Sequence, residues 1–157
     1  MRRLLTLTLV ATGLLAPAPA VAAPPAAPAV VSAGSSPRED LSGQRLRSPG
    51  SASIYLVDPE GYARAFPDIA TYTRFYEDTD GVEVNDDLDD ISRGPAFSRD
   101  AYLLRVVGED GIYVVSDGVR RGIASWRVLE RYGFDPDRAR PVTRDRADEI
   151  PEGPAWR

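Results

Sequence analysis

The sequence predicts an α+β fold in which two tandem copies of a β-hairpin plus short-helix unit pack into one small domain. Three observations lead there. The run Asp89-Asp90-Ile91-Ser92-Arg93-Gly94-Pro95-Ala96-Phe97 returns 59 residues later as Asp148-Glu149-Ile150-Pro151-Glu152-Gly153-Pro154-Ala155-Trp156. Ser53-Ile54-Tyr55-Leu56-Val57-Asp58 answers Gly111-Ile112-Tyr113-Val114-Val115-Ser116 at an offset of 58, and Leu46-Arg47 answers Leu104-Arg105 at the same offset. Within each copy the apolar pattern passes from a strand period to a helix period in the same order.

The elements follow from that pattern. Leu46 and Leu104 mark a first short strand. After Ser48-Pro49-Gly50, or Gly108-Glu109-Asp110-Gly111, the β-branched and aromatic runs Ile54 to Val57 and Ile112 to Val115 read as strands. Asp117-Gly118 is a hairpin turn. Pro59-Glu60-Gly61 does the same task with one more residue, and Tyr62 to Phe66 and Val119 to Ile123 are the returning strands. Ser125 then reads as an N-cap for a helix over 126–132, with Gly133 as its left-handed stop. Asp68 plays the same part before Ile69 to Tyr76. Trp126, Leu129 and Tyr132 match Ile69, Tyr72 and Phe75, so one apolar helix face is expected to cover each hairpin. Short extended pieces at 82–84 and 141–143 lead to acidic helical turns carrying Leu88 and Ile91, or Ala147 and Ile150. Gly94-Pro95 and Gly153-Pro154 close the two units.

Four segments result: a leader at 1–22, a tether at 23–39, and copies at 40–97 and 98–157. The leader has a basic start at Arg2-Arg3, an apolar run from Leu4 to Leu15 and an Ala20-Val21-Ala22 ending, the order of a secretory signal. Its apolar run is shorter than the roughly 20 residues that span a bilayer. The tether is Pro, Ala, Ser and Gly without periodicity. A secreted, extracellular location, free or associated with the cell surface, and a chain free of the membrane after cleavage are therefore expected.

Composition narrows the chemistry. The chain has no cysteine and no histidine, which removes disulfides, thiolate metal sites and histidine acid–base catalysis. All 19 basic residues are arginine, a bias of the kind GC-rich bacterial genomes impose. A net charge of −5 without a basic, aromatic-rich run argues against nucleic acid as a partner. Each copy is about the size at which a lone core is marginal, so the two are expected to pack on each other.

Candidate site residues are few. Between Arg74 and Arg93 stand eight acids and no base, and Asp78, Asp80, Asp86 and Asp87 are candidate oxygen ligands for calcium. An EF-hand does not fit, because Gly81 at the sixth place puts Tyr76 first and Asp87 where a bidentate Glu belongs. The competing reading is a solvated loop leading into an acidic helix start. Aromatics that escape burial would grip a sugar by stacking, with Tyr62, Tyr102 and Trp156 the candidates. Arg64 and Arg121 share one strand position and are expected to pair with local acids at the surface. Carboxylate pairs such as Asp89-Asp90 and Asp148-Glu149 belong to closing turns, and a serine nucleophile would lack a base.

Set out as Leu-Arg, Ile-Tyr-Val-Val, Asp117-Gly118-Val119-Arg120-Arg121-Gly122-Ile123, an apolar helix, Tyr132-Gly133-Phe134 and a closing Ile150-Pro151-Glu152-Gly153-Pro154, the second copy resembles a tandem repeat of exported bacterial proteins. The likeness covers residues 41 to 157. It implies an accessory role beside hydrolases or on surface proteins, and it brings no catalytic residues. The first copy departs from it at Pro59-Glu60-Gly61 and at Tyr76-Glu77. The expectation is a secreted, non-enzymatic binding module for a cell-envelope polysaccharide or an extracellular protein, with no cofactor unless calcium. The alternatives are an inhibitor or accessory partner of a secreted enzyme, presenting the loop from Glu77 to Asp87, and a carboxylate-dependent hydrolase.

Overall fold

Two four-stranded sheets with the same strand order meet across one core in this computed structural model, which describes residues 35–157. The expected leader and most of the tether lie outside the described residues. Residues 36–38, placed in the tether by composition, instead hydrogen-bond to the first unit: Ser36 N–H donates to Asp90 O at 3.0 Å and Arg38 N–H to Gly61 O at 2.8 Å. Gly61 permits this approach, since a Cβ there would meet the backbone nitrogens of Arg38 and Glu39 at 2.5 Å.

In the first sheet β1 (Arg45–Arg47), β2 (Tyr55–Val57) and β3 (Ala63–Ala65) run antiparallel in sequence. The chain then passes through α1 (Ile69–Tyr72) and returns as β4 (Val82–Val84) parallel to β1 on its free side. The second sheet repeats this plan. β5 (Tyr102–Val106), β6 (Ile112–Ser116) and β7 (Val119–Gly122) form the meander, and α2 (Trp126–Tyr132) precedes β8 (Arg140–Val142), which lies parallel to β5. A final short helix, α3 (Arg144–Asp148), stands where the first unit has a 3-10 turn over Leu88–Asp90. The registers agree as well as the order, since Leu46 faces Tyr55 as Leu104 faces Tyr113, and Tyr55 faces Ala65 as Tyr113 faces Gly122.

Local chemistry accounts for α2 in full. The Ser125 side chain accepts from Val128 N–H at 3.3 Å, and Gly133, at φ 62°, closes the helix in the left-handed conformation that glycine adopts without strain. Its counterpart α1 has the same kind of cap, Asp68 accepting from Thr71 N–H at 2.7 Å, yet it stops at Tyr72 and not at Tyr76 as expected. The run Thr71-Tyr72-Thr73-Arg74-Phe75-Tyr76 is mostly β-branched and aromatic, the types that lose most side-chain freedom in a helix.

Strand alternation divides the apolar residues into layers. The inner faces contribute Leu56, Leu103, Ile112 and Val114 to a common core with Phe66, Tyr72, Phe75, Tyr132, Phe134 and Trp156. The outer faces hold two smaller clusters, Leu46, Val57 and Ala63 under Leu88 and Ile91, and Leu104, Val106 and Val115 under Ala147. The recurrent closing segments lie along β3 and β7. Ala63 N–H donates to Ser92 O and Gly94 N–H returns to Ala63 O, as Arg120 N–H donates to Pro151 O and Gly153 N–H returns to Arg120 O. These straps deliver Phe97 and Trp156 into the common core, where their rings stack at 6.4 Å. Each such burial contributes about 1.5–3 kcal/mol.

Candidate binding site

One recess of the second unit has a counterpart in the first. Ile112, Ile123, Trp126 and Leu129 line a notch of about 320 Å³, and Ile54, Phe66, Ile69 and Tyr72 line one of about 290 Å³ at the corresponding place. Each lies between the start of the middle strand and the start of the helix. The helix caps Ser125 and Asp68 border them, and Asp110 borders the second alone. Both volumes are at the lower end for small-ligand sites, and the mixture of apolar walls with few polar groups is characteristic of such sites.

Trp126 and Ile69 depart from expectation here. Periodicity placed them on the buried helix faces, but they are 60% and 59% exposed. Each is the first residue of its helix, where the side chain reaches past the end of the hairpin, and Val128, Leu129 and Tyr132 form the buried face of α2 instead. The Trp126 ring is not loose. Its Nε1–H donates to Glu130 Oε1 at 2.9 Å, one helical turn on, which holds the indole in a fixed orientation at the lip of the notch.

The residues singled out in the sequence are dispersed. Trp156, expected among the exposed aromatics, is 1% exposed and packs edge-on against Tyr132 at 4.7 Å, because the closing strap carries it inward. Tyr102 is half-buried under the Arg140 guanidinium, 4.8 Å from its ring centre. Tyr62 is 37% exposed at the end of the first hairpin turn and donates its N–H to Asp58 Oδ1 at 2.8 Å. These three do not share one recess.

The acidic loop is pinned by its backbone. Tyr72 OH donates to Asp78 O at 2.9 Å, Arg45 Nη2 donates to Asp80 O at 2.6 Å, and Asp78 Oδ1 accepts from Asp80 N–H at 2.9 Å. Asp86 and Asp87 stand beyond β4, ahead of the 3-10 turn at Leu88. Among the described residues no three carboxylates are grouped so that they could hold a metal ion, and Asp78, Asp80, Asp86 and Asp87 form no such cluster. Arg64, expected at the surface, is 6% exposed.

Electrostatics at the caps is plain. Asp68 is held below the usual carboxylate range by the Thr71 amide first, then by the Thr71 hydroxyl. Among the described residues no helix is long and apolar enough to cross a membrane. The chain matches no protein-family model, no curated protein and no solved structure.

Proposed function

We propose that the chain is a non-catalytic binding module of the cell exterior that grips an envelope polysaccharide at the notch beneath Trp126. One observation carries this reading: a large indole, 60% exposed and oriented by Glu130, stands at the lip of a preformed recess. An exposed aromatic face stacks on the C–H face of a sugar ring, while neighbouring carboxylate and backbone groups take its hydroxyls. Asp110 is placed for that second task. A hydrolytic reading finds less support, because acid–base cleavage of a glycoside needs two carboxyl groups and Asp110 is the single one on this notch.

The counterpart notch favours a second reading. Ile69 offers an aliphatic lip, which suits an apolar side chain of an extracellular protein better than a sugar.

Retention on insoluble envelope polysaccharide and on peptidoglycan, compared among wild type, Trp126→Ala and Ile69→Ala, tests both. Retention that Trp126→Ala abolishes and Ile69→Ala leaves intact supports the polysaccharide reading. Absence of retention by the wild type overturns it, and loss through Ile69→Ala alone directs the search to a protein partner.

A further inference from the structure

Where the hairpin ends of the two sheets approach each other, a cavity of about 250 Å³ lies between the Asp58 turn of the first and the Asp117 turn of the second. It shares no residue with either notch. Arg64 and Arg121 both line it, and the ladder explains why: Arg64 pairs with Leu56 and Arg121 with Val114, inner-face residues of the common core. Two guanidinium groups thus leave the inner faces of two edge strands toward one space.

Arg64 has one loose ion pair and Arg121 has none among the described residues. The Arg64 side chain is 7% exposed; its Nε–H donates to Pro95 O at 2.9 Å and its guanidinium lies 4.7 Å from the centre of the Phe97 ring. Its nearest carboxylate, Asp117 Oδ2, stands 3.7 Å away, beyond hydrogen-bond distance. Burial first, and then the charge of Arg121, pushes Arg64 below the usual guanidinium range. Arg121 forms no ion pair among the described residues, and its Nη1 is buried without a hydrogen-bond partner. The Nε1–H of Trp156, on the same cavity, is buried and unpartnered too. Buried donors without acceptors are costly, the more so when they are charged.

The cavity's own acids also accept hydrogen bonds from their own turns. Asp58 Oδ1 accepts from the amides of Glu60 and Tyr62, and Asp117 Oδ2 accepts from the Ser116 hydroxyl. Glu60 is exposed at the rim.

We propose that this cavity is a second binding site, for the singly charged carboxylate of a small ligand or of a chain terminus, with the Arg64 and Arg121 guanidinium groups as its donors and Trp156 in its wall. A carboxylate offers two oxygens to a guanidinium in one plane. The acids Asp58, Glu60 and Asp117 weaken the binding of any anion, and that of a doubly charged phosphate more than that of a singly charged carboxylate.

The test uses the intact protein and three probes: N-acetylalanine, its uncharged amide, and inorganic phosphate. The indole N–H resonance of Trp156 is followed by NMR and identified by comparison with Trp126→Phe. The expected result is a saturable shift with N-acetylalanine, none with the amide, and weaker binding of phosphate. Arg121→Gln is expected to weaken the carboxylate by about tenfold, the loss of one charge-assisted hydrogen bond. Glu60→Gln, at the exposed rim, keeps the fold and is expected to tighten both anions. Equal shifts with acid and amide, undiminished binding by Arg121→Gln, or no effect of Glu60→Gln overturns the proposal. So does a shift that any salt reproduces.

Discussion

Tyr76 places a hydroxyl in the common core with no partner, while the Arg45 guanidinium lies 4.4 Å from its ring centre. Phenylalanine would keep the ring contacts and remove an unsatisfied polar atom, so Tyr76→Phe is expected to stabilise the protein by about 1 kcal/mol, measured by urea unfolding. Burial also pushes the Tyr132 phenol up to about 12, against the weaker opposing effect of the Ser42 hydroxyl that bonds it. Tyr72 and Tyr76 are raised for the same first cause. Tyrosine in the unfolded chain ionises near about 10. The folded state therefore holds these protons to higher pH, and their contribution is complete below about pH 10 and declines above it. Urea midpoints should fall as pH rises from about 10 toward 12, with a shallower fall for Tyr132→Phe. An unchanged midpoint across that window would show that the phenols ionise freely in the folded protein.

Among elements, α2 gives the sharpest expectation. Ser125→Ala removes the side-chain acceptor of the Val128 amide, which keeps the Ser125 carbonyl at 3.1 Å, and should cost about 0.5–1 kcal/mol in unfolding experiments, while leaving the rest of the fold in place. This helix was legible because both of its ends are local events: a hydroxyl before it and a glycine after it. Its counterpart α1 was read too long, since periodicity at Tyr72 and Phe75 records which residues are buried and says little about whether the backbone between them stays helical. The parallel placement of β4 and β8 left no mark on the sequence, because three-residue strands on a sheet edge carry too few side chains to show a period. Trp126 was misplaced for a related reason. Three-residue spacing defines an angle around the helix, whereas exposure at its first residue depends on where the hairpin ends. The matched position of Arg64 and Arg121 was visible, but its burial followed from inner-face pairing that only the assembled ladders define.

At the scale of the whole molecule, the common core takes residues from both halves, from Ile54 and Leu56 to Phe134 and Trp156. One cooperative unfolding transition is therefore expected, with tryptophan fluorescence and far-ultraviolet circular dichroism coinciding. Leu56→Ala and Leu103→Ala, one in each sheet, should each lower stability by about 2–5 kcal/mol and shift both probes together. Two separate transitions would show that the sheets are stable apart. Chelation of calcium is expected to leave the melting temperature unchanged, since no three carboxylates are grouped among the described residues; a fall on adding chelator would place a cation on the loop before Leu88.

The strap that delivers Trp156 into this core has a consequence for synthesis. Phe66, Phe75, Tyr76 and Phe97 are complete in the chain long before Tyr132, Phe134 and Trp156, the rings that cover them, have been made. A half-made chain is left with an uncovered aromatic surface, the kind of surface a holding chaperone grips.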